Sequence, residues 1–134
     1  MVWTFLLRIY MKRHKYHNLT IISVAYYNQK DGFVWGDTKK IKDLLEYVKS
    51  GYIKHYVDNK YIITQKGLVL YAINNFLKVY YNSDLKNLDN NVKKIIIDNF
   101  DKDLYESIFK DMVNSKYSLN PILTFIKENQ DAQF

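Results

Sequence analysis

Apolar residues recur along this chain mostly at the three-to-four spacing of buried helical stripes, interrupted once by short runs that suit strands. Val2, Phe5, Leu6, Ile9 and Tyr10 share one face of a helix predicted over residues 2–15. Arg8, Lys12, Arg13 and Lys15 fall on its other side or at its end, where cations are favourable. The segment Ile21-Ile22-Ser23-Val24-Ala25-Tyr26-Tyr27 has the β-branched content of a strand but the position of a short helix capped near Thr20. The helix is the preferred reading. Residues 28–36 read as a loop around the turn dipeptide Asp31-Gly32. Asp37-Thr38 then opens a helix that runs to about Lys49, with Ile41, Leu44, Leu45 and Val48 as its expected buried stripe. Ser50-Gly51 ends it, Gly51 being suited to a left-handed cap.

The pattern changes at Tyr52. Tyr52–Tyr56 and Tyr61–Ile63 are rich in aromatic and β-branched residues and flank a turn at Asp58-Asn59, which predicts a hairpin. Thr64 caps the next helix, expected over 65–82. That helix is apolar nearly all round, and such a helix is buried on several sides. Two further stripes follow: Leu85, Leu88, Val92, Ile95 and Ile96, then Leu104, Ile108, Phe109 and Met112 after an Asp101/Asp103 start. Ser118 caps a last short helix with Pro121 in its first turn and Ile122, Phe125 and Ile126 inward. The expected architecture is mostly α with one small β-hairpin. Residues 1–83 form the main domain, and 84–134 form a helical extension packed on it in a single globular unit.

Composition narrows the function classes. With 48% hydrophobic residues and 134 positions, the chain can bury a real core. There is no cysteine, which excludes disulfides, thiolate nucleophiles and cysteine-ligated zinc. The N-terminal apolar stretch has the wrong charge order for a signal peptide and is too short to span a bilayer, so a cytoplasmic protein with no membrane association is expected. Eighteen of the 20 basic residues are Lys, and Asn, Ile and Tyr are abundant. This is the amino-acid footprint of an AT-rich genome, common among low-GC bacteria, some archaea and their mobile elements and viruses.

The formal net charge of +6 is unevenly spread. Residues 1–66 carry 12 Lys/Arg against 5 Asp/Glu, and residues 67–134 carry 8 against 9, so the halves stand at +7 and −1. A basic half joined to a neutral half suits one face for a polyanion and another for something else.

Catalytic chemistry finds little foothold. No Gly-rich phosphate loop, nucleophile elbow or Ser/His/Asp pattern is visible. Asp98, Asp101 and Asp103 read as helix-terminal charges. His14 and His17 have the spacing of a metal pair but lack a third ligand. Trp35 reads as packing under its loop rather than as a wedge into a duplex. No enzyme activity, cofactor or metal is expected.

One constellation carries more. Leu44-Leu45-x-x-Val48-x-x-Gly51-Tyr52-Ile53 followed by Tyr61-Ile62-Ile63-Thr64-x-Lys66-Gly67 resembles the winged-helix superfamily, and within it the MarR-like and PadR-like prokaryotic regulators. The resemblance covers roughly residues 19 to 72. It implies a winged helix-turn-helix with C-terminal helices, which binds double-stranded DNA as a homodimer and regulates transcription, or serves a plasmid or virus as a DNA-binding protein of replication or partition. It places Thr38, Lys39, Lys40, Lys42 and Asp43 on a reading helix, and Lys54, His55, Asn59 and Lys60 on the wing. It places Leu70, Ile73, Leu77 and Tyr80 on a dimerisation helix. The chain departs from the pattern in the long loop before the reading helix and in having no Arg there, the best reader of guanine. Phosphate contacts and DNA shape should therefore weigh heavily. The alternative is a winged helix used as a protein-interaction module in a replication or virion assembly. The C-terminal helices could also dock a protein partner.

Overall fold

The computed structural model of the protein describes residues 20–36, 41–112 and 118–131. The helix expected over 2–15, and with it His14 and His17, lies outside them. Among the described residues the chain is mostly helical with one two-stranded antiparallel sheet. It divides into two compact units, one spanning Leu19–Asn99 and the other including all described residues from Phe100 onward.

The first unit begins with α1, Thr20–Tyr27, the helical alternative of the ambiguous segment. Ile21, Ile22 and Ala25 are its buried residues, spaced so that one face turns inward and outweighs the strand propensity of the β-branched residues. Helix α2, Ile41–Lys49, is followed by strands β1, Ile53–His55, and β2, Tyr61–Ile63. Helix α3, Gln65–Tyr81, leads through a short 3-10 turn at Leu85–Asn87 into α4, Asn90–Asp98. The Asp89 carboxylate caps α4, accepting from the N–H groups of Asn91 and Val92 at 2.8 and 3.2 Å.

Helix α3 is the axis of this unit. It packs on α4, α1, β2 and the 3-10 turn, which explains why so little of it is polar. Val69, Leu70, Ala72, Ile73 and Phe76 are fully buried. Each large apolar side chain so enclosed contributes about 1.5–3 kcal/mol relative to an exposed one. On the α1 side the rings of Tyr26 and Tyr71 stack, with centroids 3.8 Å apart and planes 11° apart, and the Tyr71 hydroxyl donates to that of Tyr27 at 3.3 Å. Because α4 lies along α3, the division falls after Asn99 and not after residue 83. Gln65 Nε2 also reaches Asn99 Oδ1 from the start of α3.

The second unit contains α5, Lys102–Met112, and α6, Asn120–Asp131. Asp101 Oδ1 accepts from the Leu104 N–H at 3.1 Å and Ser118 Oγ from the Asn120 N–H at 3.1 Å, so both predicted starts are capped. Ile108, Phe109, Met112, Ile122, Phe125 and Ile126 are buried, as the stripes require, but Tyr105 is buried where the stripe placed Leu104, which is half-buried. No helix among the described residues is long and apolar enough to cross a membrane.

Candidate nucleic-acid interface

Helix α2 and the hairpin are joined by a backbone clasp that explains the spacing of the motif. After Lys49 the chain turns through Gly51, whose φ of +86° is left-handed and so favours glycine. The Tyr52 N–H returns to the Tyr47 carbonyl at 2.9 Å, and the Tyr47 and Tyr52 rings meet edge to face. From the far side, Thr64 closes the turn. Its Oγ1 donates to the Gly51 carbonyl at 2.6 Å and accepts from the Gly67 N–H at 3.1 Å, while its N–H donates to the Tyr52 carbonyl at 3.0 Å. Lys66 Nζ donates to the Ser50 carbonyl at 2.9 Å and lies 4.5 Å from the centre of the Tyr52 ring. The end of α2, the start of β1 and the start of α3 are thus held together by one set of bonds.

The face that α2 turns to solvent is not the one expected. Leu44 and Tyr47 are the buried positions, while Ile41 and Leu45 are 42% and 54% exposed. Tyr47 takes the core place that the apolar spacing assigned to Leu45. The exposed face carries Ile41, Lys42, Leu45, Glu46 and Lys49, at i, i+1, i+4, i+5 and i+8. Lys42 is therefore exposed as expected, and Asp43 is half-buried on the flank of the helix. Lys49 joins the interface candidates, a residue that the winged-helix pattern does not single out, although its spacing of seven from Lys42 places both on one side. Thr38, Lys39 and Lys40 lie outside the described residues.

The hairpin pairs Ile53 with Ile63, Lys54 with Ile62 and His55 with Tyr61. Neighbouring residues on a strand point to opposite faces, so Lys54 and His55 do not share one. Lys54 lies opposite Ile62. His55 continues the face of the buried pair Ile53 and Ile63, with its ring edge-on to Tyr61. The tip is closed by the Tyr56 N–H to the Lys60 carbonyl at 2.9 Å and the Lys60 N–H to the Val57 carbonyl at 2.8 Å, with Asp58 at φ +50°. His55 Nε2 bonds the Asp58 carbonyl across this turn. Lys54, His55, Asn59 and Lys60 are all exposed, as are the apolar tip residues Tyr56 and Val57.

A third backbone segment joins the sheet, and nothing in the alternation of residues signals it. Phe33 pairs with Tyr61 through reciprocal N–H to carbonyl bonds of 2.8 Å, on the edge of β2 opposite β1. The loop after α1 is thereby fixed to the hairpin. Trp35 is half-buried and its indole N–H is enclosed without an acceptor.

The residues expected at a dimer seam divide. Leu70 and Ile73 are fully buried and Leu77 nearly so, all within one chain, so these side chains are not available to a second subunit. The apolar circumference of α3 is covered by its own neighbours instead. Of the four, only Tyr80 is exposed. Among the described residues no group of His, Asp or Glu side chains is arranged to hold a metal ion. No family model, curated protein or solved structure matches the chain.

Proposed function

We propose that this chain is a winged-helix protein that binds double-stranded DNA, with α2 in the major groove and the hairpin along the sugar-phosphate backbone. The observation that carries this reading is the clasp between them. It makes one rigid body of a helix bearing exposed Lys42 and Lys49 and a hairpin bearing exposed Lys54, His55, Asn59 and Lys60. An α-helix fits the major groove, and cations on an adjoining ribbon suit phosphates. The charge of +7 over residues 1–66 supports the same partner. The described part of the connection after α1, residues 28–36, is already longer than the tight turn of a simple helix-turn-helix. The bridge from Phe33 to Tyr61 fixes that part of the connection to the hairpin.

Regulation of transcription is the role this reading favours, with two copies on two half-sites. Such a dimer uses surfaces other than Leu70, Ile73 and Leu77. The test is fluorescence anisotropy with a random-sequence duplex of about 30 base pairs across a salt series, where phosphate neutralisation makes affinity fall steeply with salt. Absence of binding at low salt contradicts the reading and turns the same face toward an acidic protein.

A further inference from the structure

We propose that Ile41 and Leu45 contact thymine methyl groups, so that this protein selects duplex DNA presenting thymine in the major groove. The inference rests on the DNA-binding reading above. It starts from an exposure that core packing does not explain: Leu44 and Tyr47 already fill the inward positions of α2, yet Ile41 and Leu45 stand one turn apart on the outer face. Two large apolar side chains kept in water, with Lys42 and Lys49 on the same face, describe an apolar surface that meets a polyanion.

The side chains of α2 then decide what the helix can read. Its sequence, IKDLLEYVK, contains no Arg, Asn or Gln, and of the residues that grip guanine or adenine with paired hydrogen bonds it holds only Lys42 and Lys49, near its two ends. Among base edges in the major groove, only thymine offers an apolar group, its 5-methyl, and aliphatic side chains are its natural contact. Glu46, on the same face, can only accept hydrogen bonds, so it is confined to edges that carry an amine. Lys42 and Lys49 supply the attraction to the flanking phosphates, and Ile41 and Leu45 supply the discrimination.

The test replaces thymine by uracil, which removes the methyl while keeping charge and pairing. Binding of the full chain is measured by anisotropy on an alternating A·T duplex and on its A·U counterpart at one salt concentration. The expected result is weaker binding to the uracil duplex, by about fourfold for each methyl buried. In Leu45→Ala, a change at an exposed position outside the core, the ratio between the two duplexes falls toward one. Equal affinity of the unaltered protein for both duplexes overturns the inference while leaving DNA binding intact. So does a ratio that survives in Leu45→Ala. Binding to neither duplex at low salt overturns the inference together with the DNA-binding reading.

Discussion

The amino group of Lys66 donates to the carbonyl of Ser50 at 2.9 Å, tying the first turn of α3 to the residue that follows α2. A cation there satisfies one of the carbonyls that a helix leaves unpaired at its C-terminus and meets the negative end of its dipole. Its position over the Tyr52 ring adds a cation–π interaction. Lys66 is thus a structural lysine amid a basic half. Lys66→Met, which keeps the apolar stem, should lower stability by about 1–2 kcal/mol and leave the salt dependence of DNA binding unchanged. Urea unfolding and a salt titration on the same variant check both halves of that expectation.

Gly67 is required by the same clasp. A Cβ there would stand 2.2 Å from the Tyr52 carbonyl oxygen and 2.6 Å from Ile63 Cγ1, and neither the backbone nor the strand can withdraw without opening the sheet. Gly67→Ala should therefore destabilise by about 3 kcal/mol. Gly36 is the internal comparison. Nothing lies within 4 Å of a Cβ at that position, so Gly36→Ala should change stability by about 0.5 kcal/mol or less. Equal effects of the two substitutions in urea unfolding would show that the clasp is not tightly closed around Gly67.

Burial of Leu70 and Ile73 within one chain makes a prediction about assembly. Leu70→Ala and Ile73→Ala should each cost about 2–5 kcal/mol through the cavity they leave. The cost should be the same at low and high protein concentration, because neither side chain meets a second subunit. Denaturation of variant and unaltered protein at two concentrations separated by a large factor distinguishes this from a seam, where the cost of the substitution would itself change with concentration.

Three tyrosines predict a sensitivity to alkali. Burial is the main influence raising the pKa of Tyr71, Tyr26 and Tyr105 above the ordinary tyrosine value. At Tyr71 the hydrogen bond to Tyr27 adds to it, followed by the charges of Tyr27, Tyr26 and Asp89, and at Tyr26 the charges of Asp89 and Tyr27 do so. The folded chain thus holds these phenols neutral where the unfolded chain ionises them. Their contribution is fully present below the unfolded value of about 10 and is lost as pH rises through the higher folded values. The urea midpoint should fall as pH climbs past about 10, and the fall should be shallower in Tyr71→Phe.

Much of the fold is legible in the sequence because local and long-range demands agree. At Thr64 and Gly67 the cap, the turn and the close approach all ask for the same residues, so spacing alone locates the start of α3. The misreadings arise where one pattern fits two environments. Ile41, Leu44, Leu45 and Val48 form a plausible stripe, but Tyr47 can bury its ring as well as any of them. Tyrosine at that position rotates the helix so that Leu45 faces out. An all-round apolar helix likewise states that α3 is covered, and cannot state by whom. The pairing of Phe33 with Tyr61 is a backbone bond between residues far apart in sequence, and no side-chain alternation encodes it. On the candidate interface, residue identity reveals which cations are available, while register decides that Lys54 and His55 part company.

The central claim is that the exposed cations of α2 and the hairpin meet DNA phosphates. It is tested most directly by the slope of log affinity against log salt for the triple variant Lys42→Ala/Lys54→Ala/Lys60→Ala. The comparison is a control triple variant in the second unit, Lys102→Ala/Lys110→Ala/Lys127→Ala, whose lysines are also exposed. The expected result is that the first triple flattens the slope by about 0.9 for each phosphate it no longer neutralises, while the control keeps the slope of the unaltered protein. Equal slopes for the two variants would contradict the claim, because the basic face of α2 and the hairpin would then be no closer to DNA than any other lysines on the surface.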